Sequence, residues 1–354
     1  MINIIKVYIL AYKLYFKRAS WPKKISCGIR LIKARFAKVS APIAIMIGIT
    51  HRCQCKCVHC GMELSSIPQK DELTLMEIES IIKQAHELGT VEITLFGGEP
   101  LMRDDIEDII RTADTNGMIC SIDTNGLLLT PEKIKALIKA GLSAVKISLD
   151  SPESNEHDKM RGVPKCFNRA VAAVRECASQ GLPCVVSTYA SRENVHSGDL
   201  KKLIELARSN NATAVRIVDT TLSGCALSSE HKLLRSEDRE LLADLLEPGF
   251  VFLENLASAR KLRHPVCSAL AKRYIYVSPA GDIQPCCFVP MSFGNLRKNS
   301  LKELLEKMWG SSMMNHDTNR CLMNNPKFRE KAVPMIQQAE HLPVKVDSET
   351  EAAQ

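Results

Sequence analysis

Three cysteines, Cys53, Cys57 and Cys60, are separated by three and then two residues in the segment Thr50-His-Arg-Cys-Gln-Cys-Lys-Cys-Val-His-Cys60. The spacing gathers three thiolates on one short loop. A [4Fe–4S] cluster is normally held by four thiolates, so this set leaves one iron for a ligand that is not protein. An open coordination position marks a catalytic metal site rather than a structural one. Two plainer readings of the residues stand beside it. A closed zinc site could draw on four of Cys53, Cys55, Cys57, His59 and Cys60, although zinc ligands usually come as two separated pairs. A disulfide is disfavoured, because no secretory signal is evident and other thiols crowd the segment.

Phe96-Gly97-Gly98-Glu99-Pro100 follows the second strand-like stretch directly. Paired glycines let backbone approach a ligand closely, and Glu99 offers an acceptor for an ammonium group. Alone, such a turn could be a tight connection; one strand–helix unit after the cysteine triplet it is specific. At this point the chain resembles the radical S-adenosylmethionine (radical SAM) enzymes, over residues from about 42 to 220.

The resemblance implies that Cys53, Cys57 and Cys60 ligate a [4Fe–4S] cluster whose fourth iron chelates the amino and carboxylate groups of S-adenosylmethionine. It implies that Gly97, Gly98, Glu99 and Pro100 contact the methionyl ammonium. Reductive cleavage of the sulfonium would then give methionine and a 5′-deoxyadenosyl radical that abstracts hydrogen from substrate. Cys55 falls at a variable position and reads as a bystander, and His59 holds the place of a side chain packed near the adenine. Thr124 and Asn125 close the third strand as ribose contacts. Ser148 and Asp150 close the fourth, with Ser148 the preferred cofactor contact, and Ser187 on the fifth strand is a further candidate. Arg161 matches a position that pairs with the methionine carboxylate, as bidentate geometry favours.

Cys267, Gly281 and Cys286 have the spacing Cys-x13-Gly-x4-Cys, which resembles the start of the SPASM/twitch extension. A later cysteine run of full SPASM domains is not in the sequence. The resemblance therefore implies a shortened domain with one auxiliary [4Fe–4S] cluster, with Cys321 as a third ligand and Cys287 as a fourth. A zinc site on the same four cysteines is the alternative. Such a cluster would accept or relay an electron, so the expected chemistry is net oxidation or bond formation on a peptide, sugar or lipid-linked substrate. The expected partners are a flavodoxin or ferredoxin reductant and that organic or peptide substrate. Redox-neutral epimerisation is the runner-up, with Cys225 as hydrogen donor from the mouth of the barrel. A non-catalytic iron–sulfur or zinc carrier is a third reading, but a carrier needs no ammonium-binding turn.

The elements that must position these groups alternate. Residues 91–95, 119–123, 144–149, 184–189 and 214–218 read as buried strands after a first apolar run at 42–49. Amphipathic helices are expected near 74–88, 104–116, 131–140, 166–179 and 198–209, opened by Thr74, Thr130-Pro131 and Asp199. This alternation means parallel strands and right-handed crossovers. The expected fold is α/β, a partial (β/α)6 TIM-like barrel with a small C-terminal α+β iron–sulfur domain, and chemistry at the strand C-termini. The expected divisions are a basic arm at 1–40, the barrel at 41–225, a helical linker and auxiliary-cluster domain at 226–330, and a tail at 331–354, disordered at its acidic end. Within the third, 226–260 reads as mainly helical, 273–285 as a hairpin and 301–308 as a helix.

Fourteen cysteines in 354 residues, clustered rather than evenly spread, point to metal ligation in a reducing compartment. The net charge of +7 belongs to the leading arm. Residues 1–60 hold twelve Lys or Arg and no acid, which leaves 35 bases against 40 acids in the remainder. The first eighteen residues read as a helix with Lys6, Lys13 and Lys17 on one stripe, too short and too interrupted to span a bilayer. Residues 1–20 therefore suit peripheral contact with anionic lipid or packing on the barrel with lysines in water. The expected location is cytoplasmic, peripheral on the inner membrane face. No nucleic-acid module accompanies the basic residues.

Overall fold

A computed structural model describes residues 2–36, 41–62, 71–254 and 266–346. The chain opens with α1 (Ile2–Ala11), a π turn (Tyr12–Phe16) and α2 (Trp21–Phe36). The barrel follows as β1 (Ala44–Thr50), α3 (Leu75–Leu88), β2 (Glu92–Gly97), α4 (Ile106–Thr115), β3 (Ile119–Thr124), α5 (Pro131–Ala140), β4 (Ala144–Ser148), α6 (Ser154–Arg161), α7 (Cys166–Ser179), β5 (Cys184–Ala190), α8 (Arg192–His196), α9 (Asp199–Ser209) and β6 (Ala214–Asp219). Beyond it lie α10 (Ser236–Leu245), β7 (Val251–Leu253), β8 (Tyr274–Val277), β9 (Ile283–Gln284), β10 (Met291–Ser292), α11 (Leu301–Gly310), α12 (Pro326–Gln338) and β11 (Val344–Lys345).

Strands β1 to β6 pair in chain order, all parallel, and helices cover their outer face. In α4 the buried residues Ile106, Ile109, Ile110 and Ala113 recur at helical spacing and face the sheet. Thr74 forms a capping box with Glu77, and Thr130 accepts from the Lys133 N–H above Pro131. Asp199 is the first residue inside α9; Gly198 is the cap and gives no side-chain bond. Acid in a first turn favours the helix dipole, which is why the pattern still marked the right start.

The sheet continues past six strands at both edges. β7 adds in parallel to β6, so residues 251–253 form a strand inside the segment expected to be mainly helical, where α10 is the only α-helix among the described residues. On the other edge β8 runs parallel to β1, Ala44 opposite Tyr274 through Ile47 opposite Val277, and turns back as β9. The physical reason is that β1 is buried on both faces and needs neighbours on both edges. The C-terminal domain is therefore joined to the barrel by its sheet. The arm is also integrated: Leu10 and Leu14 are buried against Val185 and Ala214, and Cys27 against Val91 and Ile119. No described helix is long and apolar enough to cross a membrane. The acidic tail from Asp347 lies outside the described residues.

Candidate active site

β1 delivers the chain to a loop, residues 51–62, that α6 holds in place. Lys56 and Val58 donate their N–H groups to the carbonyls of Arg161 and Met160, at 2.9 and 3.0 Å. Last-turn carbonyls have no partner within their own helix, so this docking satisfies helix and loop together. Cys53, Cys57 and Cys60 line an open cleft. Among the described residues no three His, Cys, Asp or Glu side chains converge as ligands of a single ion. Three thiolates on one loop suit a cluster, in which each iron takes its own thiolate.

Cys55 lies beside Cys53 and Cys57 of the triplet. It is buried, and its thiol hydrogen-bonds with those of Cys166, Cys53 and Cys57, an arrangement that pushes its own pKa far up. The same contact is the main cause holding Cys57 down at about 6, with Arg161 3.6 Å from its sulfur as a further cause. Cys53 is lowered by Cys55 as well, whereas burial raises Cys60 to about 11.

The paired glycines serve the join between two loops. Gly98 and Glu99 donate their N–H groups to the carbonyls of Thr50 and Arg52, at 2.8 and 2.7 Å. A Cβ on Gly97 would lie 2.3 Å from the Thr50 oxygen and one on Gly98 2.3 Å from that of Arg52, and Gly97 has φ +144. Gly97 and Gly98 line the cleft; Glu99 and Pro100 are buried and do not. The Glu99 carboxylate accepts from the Thr124 hydroxyl at 2.7 Å, the Asn125 N–H at 2.8 Å and the Leu101 N–H at 3.1 Å. It is a clasp between the ends of β2 and β3, with Oε2 accepting only the Asn125 N–H. Gly97 and Gly98 are the members of the turn that line the cleft.

The same cleft carries the rest. Thr124, Asn125, Ser148, Asp150, Arg161, Ser187 and His59 all line the cleft. Arg161 Nε donates to Asp150 at 2.6 Å, so in this structure the guanidinium is oriented by an internal acid. Burial opposes the charge on Asp150, but Arg161 and His59 hold its carboxyl below the usual range. The His59 ring lies 4.7 Å from that of Tyr189, inclined at 31°, with Nε2 3.5 Å from Asp150. Burial keeps His59 below its ordinary pKa, and its Nδ1 and the Thr188 hydroxyl are buried without partners. Unpaired buried polar atoms in a cleft call for a polar occupant, and a nucleoside sulfonium amino acid fits such a lining.

Sequence reading missed Arg216, a single charge within the apolar run Ala214-Val-Arg-Ile-Val218. It lines the cleft, donates to Asp123 at 2.5 Å and to Ser187 at 2.9 Å, and pairs with Glu254 at 3.2 Å. Lys146 in β4 sits likewise 3.2 Å from Asp123. An isolated charge in a strand buried on both faces was the available signal, since such groups persist only when paired.

Away from the cleft, Cys267, Cys286 and Cys321 pack against the core; burial first and then the neighbouring Cys286 raise the thiols of Cys267 and Cys321, and contact with Cys287 raises that of Cys286. Cys287 packs among Met46, Tyr276 and Phe288 and touches the Cys286 thiol. Cys321 Sγ lies 4.0 Å from the hydroxyl of Thr221, which lines the main cleft. Cys225 is exposed, outside the cleft lining, with its N–H on the Cys60 carbonyl at 2.9 Å.

Residues 47–207 match the family model for the radical SAM superfamily, and residues 267–332 that for an iron–sulfur cluster-binding domain, SPASM. The chain is 28% identical to an AdoMet-dependent heme synthase of Methanosarcina barkeri, over 76% of this chain and 84% of the relative. It is 27% identical to a PqqA peptide cyclase of Methylocella silvestris, over 75% and 74%. Its fold aligns with Streptococcus suis SuiB bound to precursor peptide SuiA at TM-score 0.62 and 16% identity, over 82% of this chain and 70% of that one.

Proposed function

This chain belongs to the radical SAM superfamily, carries an iron–sulfur SPASM domain and is an enzyme, and from that premise we propose that it oxidatively modifies a peptide. The observation that carries the reading is the Thr221–Cys321 contact of 4.0 Å between the main cleft and the second cysteine group. A substrate held in the cleft would lie beside an electron acceptor on those cysteines. Peptide is favoured over sugar or lipid-linked substrates by the PqqA peptide cyclase relatives and by the likeness to a peptide-bound enzyme.

Bound S-adenosylmethionine and its [4Fe–4S] cluster supply one-electron cleavage of the sulfonium and hydrogen abstraction from the substrate. The chain does the rest. Cys53, Cys57 and Cys60 hold the cluster, and Cys55 and Arg161 moderate the thiolate charge. The His59–Tyr189 pair offers a flat surface for an adenine, which prefers offset stacking. Thr124, Asn125, Ser148 and Ser187 offer hydroxyl and amide groups to ribose and carboxylate, and Gly97 and Gly98 line the amino end. Cys267, Cys286 and Cys321 hold the auxiliary cluster, with Cys287 beside Cys286 as the candidate fourth ligand. A flavodoxin or ferredoxin supplies electrons, and the basic arm rests on anionic membrane.

Anaerobically purified protein should carry about eight irons and form 5′-deoxyadenosine on reduction. Cys321→Ala should lose about half of that iron and stop substrate oxidation while cofactor cleavage persists; undiminished oxidised product would remove the auxiliary role. The competing epimerase reading turns on Cys225. Cys225→Ala should leave product yield within about threefold, as exposed substitutions away from a site do. Loss of solvent deuterium from an unoxidised product in that variant would instead favour epimerisation.

A further inference from the structure

The second helix of the arm is amphipathic in the reverse sense. Its inward face is polar: Lys23 pairs with Asp114 at 2.6 Å, and Arg30 donates to the carbonyls of Thr90, at 2.7 Å, and Gly117. Cys27 Sγ also reaches the Gly117 carbonyl, at 3.4 Å. These bonds tie α2 to the ends of the helices that cover the barrel. Its outward row is apolar: Trp21, Ile25, Ile29 and Ile32 are 75%, 59%, 48% and 63% exposed. The spacing of four, four and three residues puts them on one stripe.

α1 continues the same surface. Ile5, Tyr8, Ile9 and, in the π turn that follows, Tyr12 are exposed, while Leu10 and Leu14 are buried. Lys24 joins the two helices, with Nζ 5.2 Å from the centre of the Tyr12 ring and 4.9 Å from that of Trp21. Lys6, Lys13, Lys17 and Arg18 are exposed around the face, and no acid precedes Glu63 in the sequence. Exposed aliphatic rows with Trp and Tyr and a rim of cations alone match the two halves of an anionic bilayer surface: acyl boundary and headgroup. A second copy of the chain would bring the same cations face to face.

We infer that the α1–α2 face docks the enzyme on anionic lipid, with Trp21, Ile25, Ile29 and Ile32 entering the headgroup boundary. This rests on the reading of the basic arm as a membrane contact and moves the inserted surface to α2, whose anchorage to the barrel sets the orientation of the whole enzyme. The cleft residues belong to the loops at the other ends of the strands and stay clear of the lipid.

The chain has two tryptophans, so Trp309→Phe leaves Trp21 as the sole reporter in the holoenzyme. Its emission should shift to the blue and be quenched by brominated acyl chains with phosphatidylglycerol vesicles, and not with phosphatidylcholine alone. Ile25→Ser/Ile29→Ser should weaken vesicle binding by at least about tenfold while 5′-deoxyadenosine formation without vesicles is unchanged. Lys6→Gln/Lys13→Gln/Lys17→Gln should weaken it too, and added salt should mimic that loss. Weakening by the lysine changes but not by the isoleucine changes would leave the arm reading standing and overturn the α2 face. Equal binding to both vesicle types, unshifted Trp21 emission, or a dimer that Ile25→Ser/Ile29→Ser dissociates would also overturn it.

Discussion

Replacing Cys53, Cys57 and Cys60 together with alanine will lower 5′-deoxyadenosine formation by at least about 10³-fold. The reason is geometric as well as chemical. The three sulfurs lie on one loop and line the cleft, and no other described cysteine of the barrel joins them there except Cys55, which is buried with Leu127 and Cys166. Iron content should fall by about four per chain and the auxiliary iron should remain, because Cys267, Cys286 and Cys321 belong to a separate group. Cys55→Ala is the control. It removes a thiol that touches two ligands but is turned into a small apolar cluster, so cleavage should persist within about tenfold. Wild-type turnover in the triple variant would overturn the cluster assignment. Equal loss in Cys55→Ala would move the ligand set.

The second large effect concerns Glu99 and stability. Glu99→Ala leaves the Thr124 hydroxyl and two backbone N–H groups buried without an acceptor and opens a cavity. The expected cost is about 3–5 kcal/mol in urea unfolding. Glu99→Gln keeps the shape and reports the charge. Burial pushes the Glu99 carboxyl up to about 7, against the pull of its three donors. A folded-state value above the unfolded one, about 4.3, means that the stabilising contribution is whole below that pH and fades as pH rises through about 7. The unfolding free energy of wild type minus that of Glu99→Gln should therefore fall by about 4 kcal/mol between those limits, at 1.36 kcal/mol per pKa unit. A difference independent of pH would mean that the carboxyl titrates alike folded and unfolded.

Glu99 also illustrates what a sequence can hide. Beside two glycines at a strand end it reads as a ligand-binding acid, and in space it is also a brace. The distinction depends on Thr124 and Asn125, 25 and 26 residues away; only the register of β2 against β3 brings them to it. Arg216 was hidden for the opposite reason. Its run is apolar, its partners Asp123 and Glu254 are remote in the chain, and periodicity says nothing of which strands face one another. Cys286 and Cys287 are adjacent in sequence and their thiols touch; Cys286 also packs against the main core, where Cys267 and Cys321 lie.

The strand–helix alternation, most element bounds and the three-thiolate loop were local properties. Alternating apolar runs, caps such as Thr74 and close cysteine spacing act over a few residues, and they determine a parallel α/β barrel with a metal-binding loop after its first strand. Long-range pairing decided the rest. β8 returns to the free edge of β1, α6 supports the cysteine loop, and α2 turns its polar face inward because the helix-end carbonyls and Asp114 lie there. Those outcomes depend on which surfaces meet after folding, and that information resides in three dimensions rather than in any window of the chain.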